Sequence, residues 1–512
     1  MKHTVLCYLE KTVIEYGNRI AVEDGIKTVT FTELYHDAVR ISHRISCRNP
    51  SQSSCPILVF LPKCTDAIIA FLAVLYSGNF YVPCDVRAPK ERLRKIVDTL
   101  NPAAILTTKN LANRILDLGI DRERLLLLDT PTCDDNDHEE GDCNNSDCKD
   151  FGYGLAQIID TDPVYAMFTS GSTGVPKGVL VSHRGVLDYI DWAKETYSID
   201  TDTIIGNQAP LFFDNSTLDL YLCLACGARL VLLPERLFAF PAELLRFLEE
   251  HKVNFLFWVP SALAHIANMN ALENTQWKPS KVLFAGEVMP AKQLNYWRKH
   301  VPNALYSNLY GPTEITVDCT YYILDRTFED SEPIPIGKAC RNTGILLLDE
   351  QNKEPKRGSL GEICVRGSGL ALGYWNNPET TAAVFVQNPL NSHYPEKIYR
   401  TGDLAYYNDR DELIYAGRSD FQIKHMGYRI ELGEIETMVF EVDGIDGTCV
   451  LYDYDTKEIV LFYTGDADKI ALKKILYEKL PKYMVPSKLI NLTEFPLNAN
   501  GKIDRVALKE ML

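Results

Sequence analysis

Residues 169–178 have the composition of a loop that binds phosphate groups. They read Thr-Ser-Gly-Ser-Thr-Gly-Val-Pro-Lys-Gly and follow the apolar run Val164–Phe168, which is typical of a buried strand. Glycines allow backbone N–H groups to turn inward, hydroxyl side chains add further donors, and Lys177 neutralises negative charge. The loop is not a Walker A motif, because two residues separate Gly174 from the lysine. The sequence therefore predicts a phosphate-binding loop of another kind, and its place after a buried strand argues against a flexible linker.

Five further segments follow this loop in a fixed order. They are Asn308–Glu314, Tyr399–Asp403, Gly417–Lys424, Gly427–Glu436 and Asn498–Arg505. With the loop, this ordered set resembles the core motifs of adenylate-forming enzymes. It resembles more closely the amino-acid-adenylation domains of nonribosomal peptide synthetases and their stand-alone relatives. The resemblance covers essentially the whole chain, whereas any one segment alone would predict only a turn or a surface ion pair.

The resemblance implies ATP and Mg²⁺ as cofactors and assigns the catalytic roles. To form an acyl-adenylate, a carboxylate attacks the α-phosphate of ATP while pyrophosphate departs, so catalysis depends on positioning and on stabilising negative charge. Lys502 is expected to contact the substrate carboxylate and the α-phosphate, Thr313 to bond the α-phosphate, and Glu314 to hold Mg²⁺. The ring of Tyr310 is expected to stack on adenine, and Asp403 to accept both ribose hydroxyls. The complete ATP-binding set that the resemblance implies is Thr169, Ser170, Gly171, Ser172, Thr173, Gly174, Lys177, Gly286, Glu287, Asn308, Tyr310, Gly311, Asp403 and Arg418.

Asp214 is the residue that points to an amino acid as the acid that is activated. In the family the matching carboxylate pairs with the substrate α-ammonium, and a partly shielded carboxylate selects for an amine because leaving it unpaired is costly. The alternative is that Asp214 only caps a helix. The remaining pocket positions that the resemblance implies are Asn215, Leu218, Phe257, Leu283, Ala285, Leu309, Val317 and Asp318, beside Lys502.

The mostly apolar pocket is too confined for Trp or Arg and is similar to that of stand-alone enzymes that adenylate L-proline. Asn215 and Asp318 depart from that pattern and leave room for a polar substrate such as serine. The sequence also resembles D-alanine–carrier protein ligases, although those typically have Cys at the position of Ala285. A ligase that forms acyl-CoA products and a non-catalytic descendant are further alternatives.

The elements that would position these residues alternate along the chain as strands and helices, which predicts an α/β fold with parallel and mixed sheets covered by helices. Thr32 is predicted to cap a helix, and strands are expected at Ile57–Leu61, 103–106 and Leu125–Leu128. Short alternating strands after Gly361 predict a small β-barrel-like part.

The domain boundary is expected at residues 417 and 418. The sequence predicts a large domain over residues 1–417 and a small α+β domain over 418–512. The resemblance implies that the small domain rotates about the hinge residue Asp420, so that one site can serve two half-reactions. The second half-reaction would use the phosphopantetheine thiol of a carrier protein. Because the sequence has no Gly-Gly-x-Ser motif, the carrier is expected to be a separate protein.

Composition excludes several classes of function. The 53 Lys and Arg residues against 69 Asp and Glu residues give a net charge of −16, which argues against wrapping of nucleic acid. No apolar stretch is long enough for a membrane span and the N-terminus lacks a signal peptide, so a soluble, cytoplasmic protein is expected. The pair Cys223 and Cys226 is interpreted as core thiols, and the cysteines of the acidic run 133–148 as part of a solvated loop.

Overall fold

The computed structural model describes residues 4–48, 53–129, 157–171, 175–419, 422–440, 442–496 and 503–512. Its internal contacts divide the chain into two units. The first unit consists of Met1–Val86, Leu100–Met167 and Gly178–Gly417, and the second of Arg87–Thr99, Phe168–Lys177 and Arg418–Leu512. The acidic run with Cys133, Cys143 and Cys148 lies outside the described residues. Within the described ranges, no helix is long and apolar enough to cross a membrane.

The helices are spread over the whole described chain. They are α1 (Leu6–Tyr16), α2 (Phe31–Arg48), α3 (Thr65–Tyr76), α4 (Lys90–Leu100), α5 (Lys109–Leu116), α6 (His183–Thr196), α7 (Asn215–Cys226), α8 (Pro241–Glu250), α9 (Pro260–Asn268), α10 (Ala291–His300), α11 (Pro378–Val384), α12 (Leu432–Phe440), α13 (Lys469–Lys479) and α14 (Arg505–Lys509).

The strands form five sheets. They are β1 (Ile20–Glu23), β2 (Thr28–Thr30), β3 (Pro56–Val59), β4 (Phe80–Pro83), β5 (Ala104–Thr107), β6 (Leu125–Leu127), β7 (Pro163–Thr169), β8 (Lys177–Ser182), β9 (Ile204–Asn207), β10 (Arg229–Leu232), β11 (Phe255–Trp258), β12 (Lys281–Phe284), β13 (Leu305–Tyr310), β14 (Thr320–Ile323), β15 (Lys338–Ala339), β16 (Thr343–Leu348), β17 (Gly361–Gly367), β18 (Gly373–Tyr374), β19 (Phe385–Gln387), β20 (Lys397–Tyr407), β21 (Leu413–Arg418), β22 (Gln422–His425), β23 (Tyr428–Glu431), β24 (Ile445–Asp453), β25 (Glu458–Gly465) and β26 (Lys488–Asn491).

A nine-stranded mixed sheet carries three of the predicted pocket residues, Phe257, Leu283 and Leu309. Its order is β15-β14-β13-β12-β11-β9-β10-β1-β2, with parallel pairing from β1 to β13 across its centre and antiparallel strands at both edges. Successive side chains of a strand point to opposite faces, so the two faces have separate cores. Phe257 and Leu283 belong to one buried cluster, whereas Trp258 and Phe284 belong to another. Burial on both faces explains why these strands are continuous apolar runs.

A second large sheet has seven strands in the order β18-β8-β7-β4-β3-β5-β6, and its centre is parallel. Helix α3 is apolar around its whole circumference and almost completely buried, as expected for a helix in the interior of a large α/β body. The short strands after Gly361 contribute to a five-stranded sheet of order β16-β17-β20-β19, in which β21 also pairs with β20.

The C-terminal part of the second unit is an α+β arrangement with a core of its own. Strands β24, β25 and β26 form one sheet, and β22 and β23 form a hairpin. Ile435, Val450 and Leu461 lie in its buried cluster. The two moving domains that the resemblance implies remain a prediction.

Helix α2 begins earlier than the sequence predicted. Thr30, not Thr32, is its capping residue: its hydroxyl accepts from Glu33 N at 3.2 Å, and Glu33 Oε2 accepts from Thr30 N at 2.8 Å. This reciprocal pair is a capping box, in which the glutamate lies three residues after the cap. The prediction of Thr32 was wrong because it ignored this partner.

Candidate active site

Four predicted pocket residues line one face of the nine-stranded sheet. Phe257 pairs in register with Leu283 on the neighbouring strand, and Asn308 pairs with Phe284. Ala285 and Leu309 therefore lie one step further along, on the same face as Phe257 and Leu283. These four residues, together with Leu218 on α7 and Val317, are buried in one cluster. The structure thus places all six apolar residues that the sequence assigned to the pocket in the same extended core, and sets four of them on one face of one sheet.

Asp214 lies immediately before α7 and does not cap it. It has helical backbone angles, and its side chain makes no capping hydrogen bond. The helix entry is held instead by backbone bonds, with Thr217 N donating to Asp214 O at 2.8 Å. Asp214 and Asn215 are both half-buried. The alternative that Asp214 serves as a side-chain helix cap is therefore wrong.

The segment after Glu314 has an unusual backbone. Thr316 and Val317 are successive β-branched residues with φ of 63° and 70°, a region that such residues rarely adopt. A Cβ atom at Gly311 would lie 2.3 Å from Val317 O, so only glycine fits the approach of these two chain segments. Strain of this kind, on the order of 1–3 kcal/mol per residue, persists only where the surroundings enforce it, and it is common at binding sites.

Asp318 is held by a residue that the sequence analysis did not assign. The Tyr189 hydroxyl donates to Asp318 Oδ2 at 2.6 Å, and both side chains are buried. Burial and the adjacent carboxylate raise the pKa of Tyr189 well above its ordinary value, so the phenol keeps its proton and remains the donor.

Tyr310 and Asp403 are in direct contact. The Tyr310 hydroxyl donates to Asp403 Oδ2 at 2.5 Å, and Tyr415 donates to the other oxygen at 3.4 Å. Thr401 Oγ1 accepts from Asp403 N at 2.9 Å, and Asp403 has no exposed surface. Burial and Asp403 together raise the pKa of Tyr310 well above its usual range. An adenine-stacking ring and a ribose-binding carboxylate, as predicted, would therefore lie side by side.

Glu314 is fully buried within a short 3₁₀ turn, Thr313–Ile315. Tyr374 on β18 donates its hydroxyl to Glu314 Oε1 at 2.7 Å, and Glu314 O accepts from Ala371 N at 2.8 Å. The carboxylate is therefore fixed by contacts with a segment about sixty residues further along the chain.

Three other predicted nucleotide-binding residues lie at the carboxyl ends of strands of the nine-stranded sheet, or just beyond them. Gly286 has a φ of 91°, which glycine adopts without strain. Glu287 Oε2 accepts from Ser261 N at 2.7 Å, and the Asn308 side chain donates to Pro335 O at 2.8 Å. Open α/β sheets bind ligands at this edge.

The predicted phosphate loop belongs to the second unit. Ser170 Oγ donates to Arg429 O at 2.7 Å and accepts from Glu431 N at 3.2 Å. Lys177 Nζ lies 3.9 Å from Glu431 Oε1. Thr169 ends β7, and Gly171 lies so close to Val175 that a Cβ atom would be 2.1 Å from the Val175 carbonyl oxygen. Arg418, the last residue of β21, is half-buried.

Several predicted residues lie outside the described residues. They are Ser172, Thr173, Gly174, the hinge residue Asp420 and the catalytic Lys502. Their roles remain predictions from the resemblance.

Sequence reasoning missed the three tyrosines that bond the site carboxylates. Tyr189, Tyr374 and Tyr415 lie 129, 60 and 12 residues from their partners. No local spacing connects such positions, because the contacts exist only once the sheets are assembled.

Comparisons with known proteins identify the family of the chain. Residues 9–375 match the family model described as AMP-binding enzyme. The chain is 30% identical over 511 residues to zwittermicin A synthase ZmaJ of Bacillus cereus, covering 98% of this chain and 93% of that protein. It is 30% identical to tyrocidine synthase 1 of Brevibacillus parabrevis, of which it spans 44%.

Solved structures show the same fold. Holo-PA1221, an NRPS protein containing adenylation and PCP domains bound to a vinylsulfonamide inhibitor, superposes with a TM-score of 0.83 at 25% identity, over 100% of this chain and 84% of that one. IdnL1 superposes with a TM-score of 0.79 at 26% identity, over 97% and 99%. The fold is therefore that of adenylate-forming enzymes.

This chain belongs to the AMP-binding enzymes, as an adenylation domain of the nonribosomal peptide synthetase type.

Proposed function

We propose that this protein activates a small amino acid, with L-proline as the first candidate, as an aminoacyl-adenylate. It then transfers the aminoacyl group to the phosphopantetheine thiol of a separate carrier protein. The observation that carries the proposal is Asp214, a half-buried carboxylate at the start of the helix that carries Leu218, whose side chain makes no capping hydrogen bond. A carboxylate in such a place pairs well with an α-ammonium group.

The relatives support activation coupled to a carrier. PA1221 contains adenylation and PCP domains in one protein. A further structural neighbour, an artificial fusion of NpsA with ThdA, is also an adenylation–PCP protein. For this chain we propose a carrier on another polypeptide.

In the first half-reaction, the amino-acid carboxylate attacks the α-phosphorus of ATP, the bond to the β-phosphate breaks, and pyrophosphate leaves. Lys502 holds both reacting groups, and Thr313 bonds the α-phosphate. Tyr310 stacks on adenine while its hydroxyl fixes Asp403, which accepts the ribose hydroxyls. Because Tyr310 and Asp403 are hydrogen-bonded to each other before the substrate arrives, these two groups need little reorganisation in the transition state.

Glu314 fits a magnesium ion. Mg²⁺ in nucleotide sites is usually bound through one or two carboxylates together with substrate phosphates, rather than by a cage of protein ligands. Glu314 is a buried carboxylate oriented by Tyr374. When bound, the ion neutralises charge on the phosphates. Glu314 would be its protein ligand.

The pocket favours a small, largely apolar substrate. Leu218, Phe257, Leu283 and Val317, which we assign to its walls, are buried apolar side chains. Asp318 weighs less against proline than its charge alone indicates, because one of its oxygens already accepts a hydrogen bond from Tyr189.

Amino-acid-dependent exchange of pyrophosphate with ATP tests this function. The assay uses Mg²⁺ and compares the twenty standard amino acids, D-alanine and 4-hydroxyproline. A dominant L-proline signal is expected. A serine or D-alanine signal would keep amino-acid activation but assign selectivity to Asn215 and Asp318. No signal with any amino acid would overturn the proposal, and thioester formation with free CoA would identify an acyl-CoA ligase instead.

A further inference from the structure

Lys63 is a half-buried lysine that has no part in the chemistry above. We propose that Lys63 is a positioning residue for the amino-acid pocket, and that together with Asp219 it holds α7 and the ends of β9 and β11 in place. The inference rests on the proposed function, because it assigns Leu218 and Phe257 to the substrate pocket.

The first step is the contact of Lys63 with the end of β9. Its Nζ donates to Asn207 O at 2.9 Å and to Gln208 O at 3.1 Å. Asn207 is the last residue of that strand, and its carbonyl also accepts from Leu233 N at 3.2 Å. Lys63 therefore fixes the chain where it leaves the sheet on its way to Asp214.

The second step leads to helix α7. The Asn207 side chain donates to Asp219 Oδ2 at 2.8 Å, and both side chains are buried. Asp219 follows the pocket residue Leu218 directly. The register of β9 with β11 places Asn207 beside Phe257, because Gly206 pairs with Leu256. The polar group thus adjoins two pocket residues.

The third step leads to the end of β11. Gln208, whose carbonyl Lys63 holds, accepts from Val259 N through its side-chain oxygen at 3.3 Å. Val259 follows the strand that carries Phe257. One ammonium group is therefore connected to both strands and, through Asn207, to the helix.

The polar group formed by Lys63, Asn207 and Asp219 has an unfavourable effect on folding stability. Asn207 Oδ1 and Asp219 Oδ1 are buried and have no hydrogen-bond partner among the described residues. Burial lowers the pKa of Lys63 to about 7, and Asp219 and Glu235 act in the opposite direction. Burial also raises the pKa of Asp219 to about 8. A buried acceptor without a partner costs about 1–3 kcal/mol, and apolar residues of similar volume are often at least as stabilising as a buried ion pair. Stability alone therefore does not account for the group, whereas its side-chain hydrogen bonds lead to α7 and to the ends of β9 and β11.

The experiment compares Lys63→Met, which removes the charge at similar length, with Lys63→Arg, which keeps it. Ile266→Val, in the buried cluster on the other face of the sheet, serves as the control for loss of stability. Hydrogen–deuterium exchange of the segment from Asn207 to Cys226 measures positioning without any substrate. Pyrophosphate exchange gives separate KM values for the amino acid and for ATP.

For Lys63→Met we expect faster exchange in that segment and a KM for the amino acid raised roughly tenfold, since small displacements of a binding group are costly. The KM for ATP should stay within about twofold, because the hydrogen bonds of Lys63 go to Asn207 and Gln208, which are not assigned to the nucleotide. In Lys63→Arg, the hydrogen exchange and the KM for the amino acid should return most of the way to the values of the parent enzyme. Ile266→Val should change neither value.

Unchanged hydrogen–deuterium exchange of this segment in Lys63→Met would overturn the inference. Equal rises in the KM values for the amino acid and for ATP would also overturn it. If no amino acid supports pyrophosphate exchange by the parent enzyme, the proposed function fails, and the pocket role of Lys63 fails with it. Unchanged hydrogen exchange with an active parent would instead refute only the positioning role.

Discussion

Three tyrosine hydroxyls orient three carboxylates of the candidate site. Tyr310 donates to Asp403, Tyr374 to Glu314 and Tyr189 to Asp318, at 2.5, 2.7 and 2.6 Å. A phenol is a good partner for this purpose, because its aromatic ring packs in an apolar core while its hydroxyl reaches one oxygen of the carboxylate. In Asp403 the second oxygen also accepts a longer hydrogen bond, from Tyr415.

Removal of one such hydroxyl should weaken nucleotide binding selectively. Tyr310→Phe keeps the ring but leaves Asp403 without its shortest hydrogen bond, so we expect the KM for ATP to rise roughly tenfold. Tyr415→Phe is the matched control, because its contact with Asp403 is 3.4 Å long and should matter less. Steady-state pyrophosphate exchange with varied ATP measures both. Equal effects of the two variants would contradict the role given to Tyr310.

The amine-recognition role of Asp214 is also a prediction at this scale. Asp214→Asn keeps the shape but removes the charge that would pair with an α-ammonium group. We expect kcat/KM for the amino acid to fall about a hundredfold or more, with a much smaller change in the KM for ATP. An unchanged response to the amino acid would remove Asp214 from the substrate site.

At the scale of elements, strands were easier to predict than helix ends. The apolar runs at Ile57–Leu61 and Leu125–Leu128 became strands Pro56–Val59 and Leu125–Leu127, because residues buried on both faces of a sheet form continuous apolar runs. The start of α2 depended instead on which threonine finds a partner three residues later.

The capping box at α2 gives a stability prediction. Thr30→Ala should lower the free energy of unfolding by about 1 kcal/mol, because the first turn loses a hydrogen-bond acceptor. Thr32→Ala, at the residue that the sequence favoured, should cost less. Urea denaturation of both variants measures the difference. A larger loss in Thr32→Ala would show that the reciprocal bonds of Thr30 and Glu33 do not hold the helix end.

At the scale of the whole molecule, the sequence indicated candidate site residues but not the distant residues that hold them in place. The ordered motifs could be found because each is local in sequence, and of the residues they contain the structure brings Tyr310 and Asp403 into direct contact. The pairs formed by Tyr189, Tyr374 and Lys63 with distant residues could not be predicted, since packing of separate sheets and helices creates them.

Acid should destabilise the folded protein partly through His183. Its side chain is buried and accepts from Val5 N at 3.3 Å, and burial lowers its pKa to about 4 from an ordinary 6.5. Between these two pH values the unfolded chain binds a proton that the folded chain excludes, so stability falls as pH falls from 6.5 to 4. The loss should reach about 3 kcal/mol at most.

Denaturation at several pH values checks this. His183→Asn, which keeps an acceptor but does not titrate, should flatten the dependence in this window. An unchanged slope in the variant would assign the acid sensitivity to other groups.

The two half-reactions give a prediction for Lys502. Lys502→Ala should abolish adenylate formation, because the attacking carboxylate and the α-phosphate lose their shared cation. Transfer from supplied aminoacyl-adenylate to a carrier should be largely kept. Equal loss in both reactions would argue against a single active site that Lys502 leaves before the second half-reaction.

The alternation of side chains across the nine-stranded sheet has a practical consequence for engineering. Phe257, Leu283, Ala285 and Leu309 share the face to which we assign the substrate pocket, whereas Trp258 and Phe284 pack into a separate core on the other face. Combinatorial libraries at the four odd-numbered positions should therefore alter substrate choice while leaving the cluster on the reverse face intact. Substitutions of Trp258 and Phe284 would lower the free energy of unfolding without altering the surface assigned to the substrate.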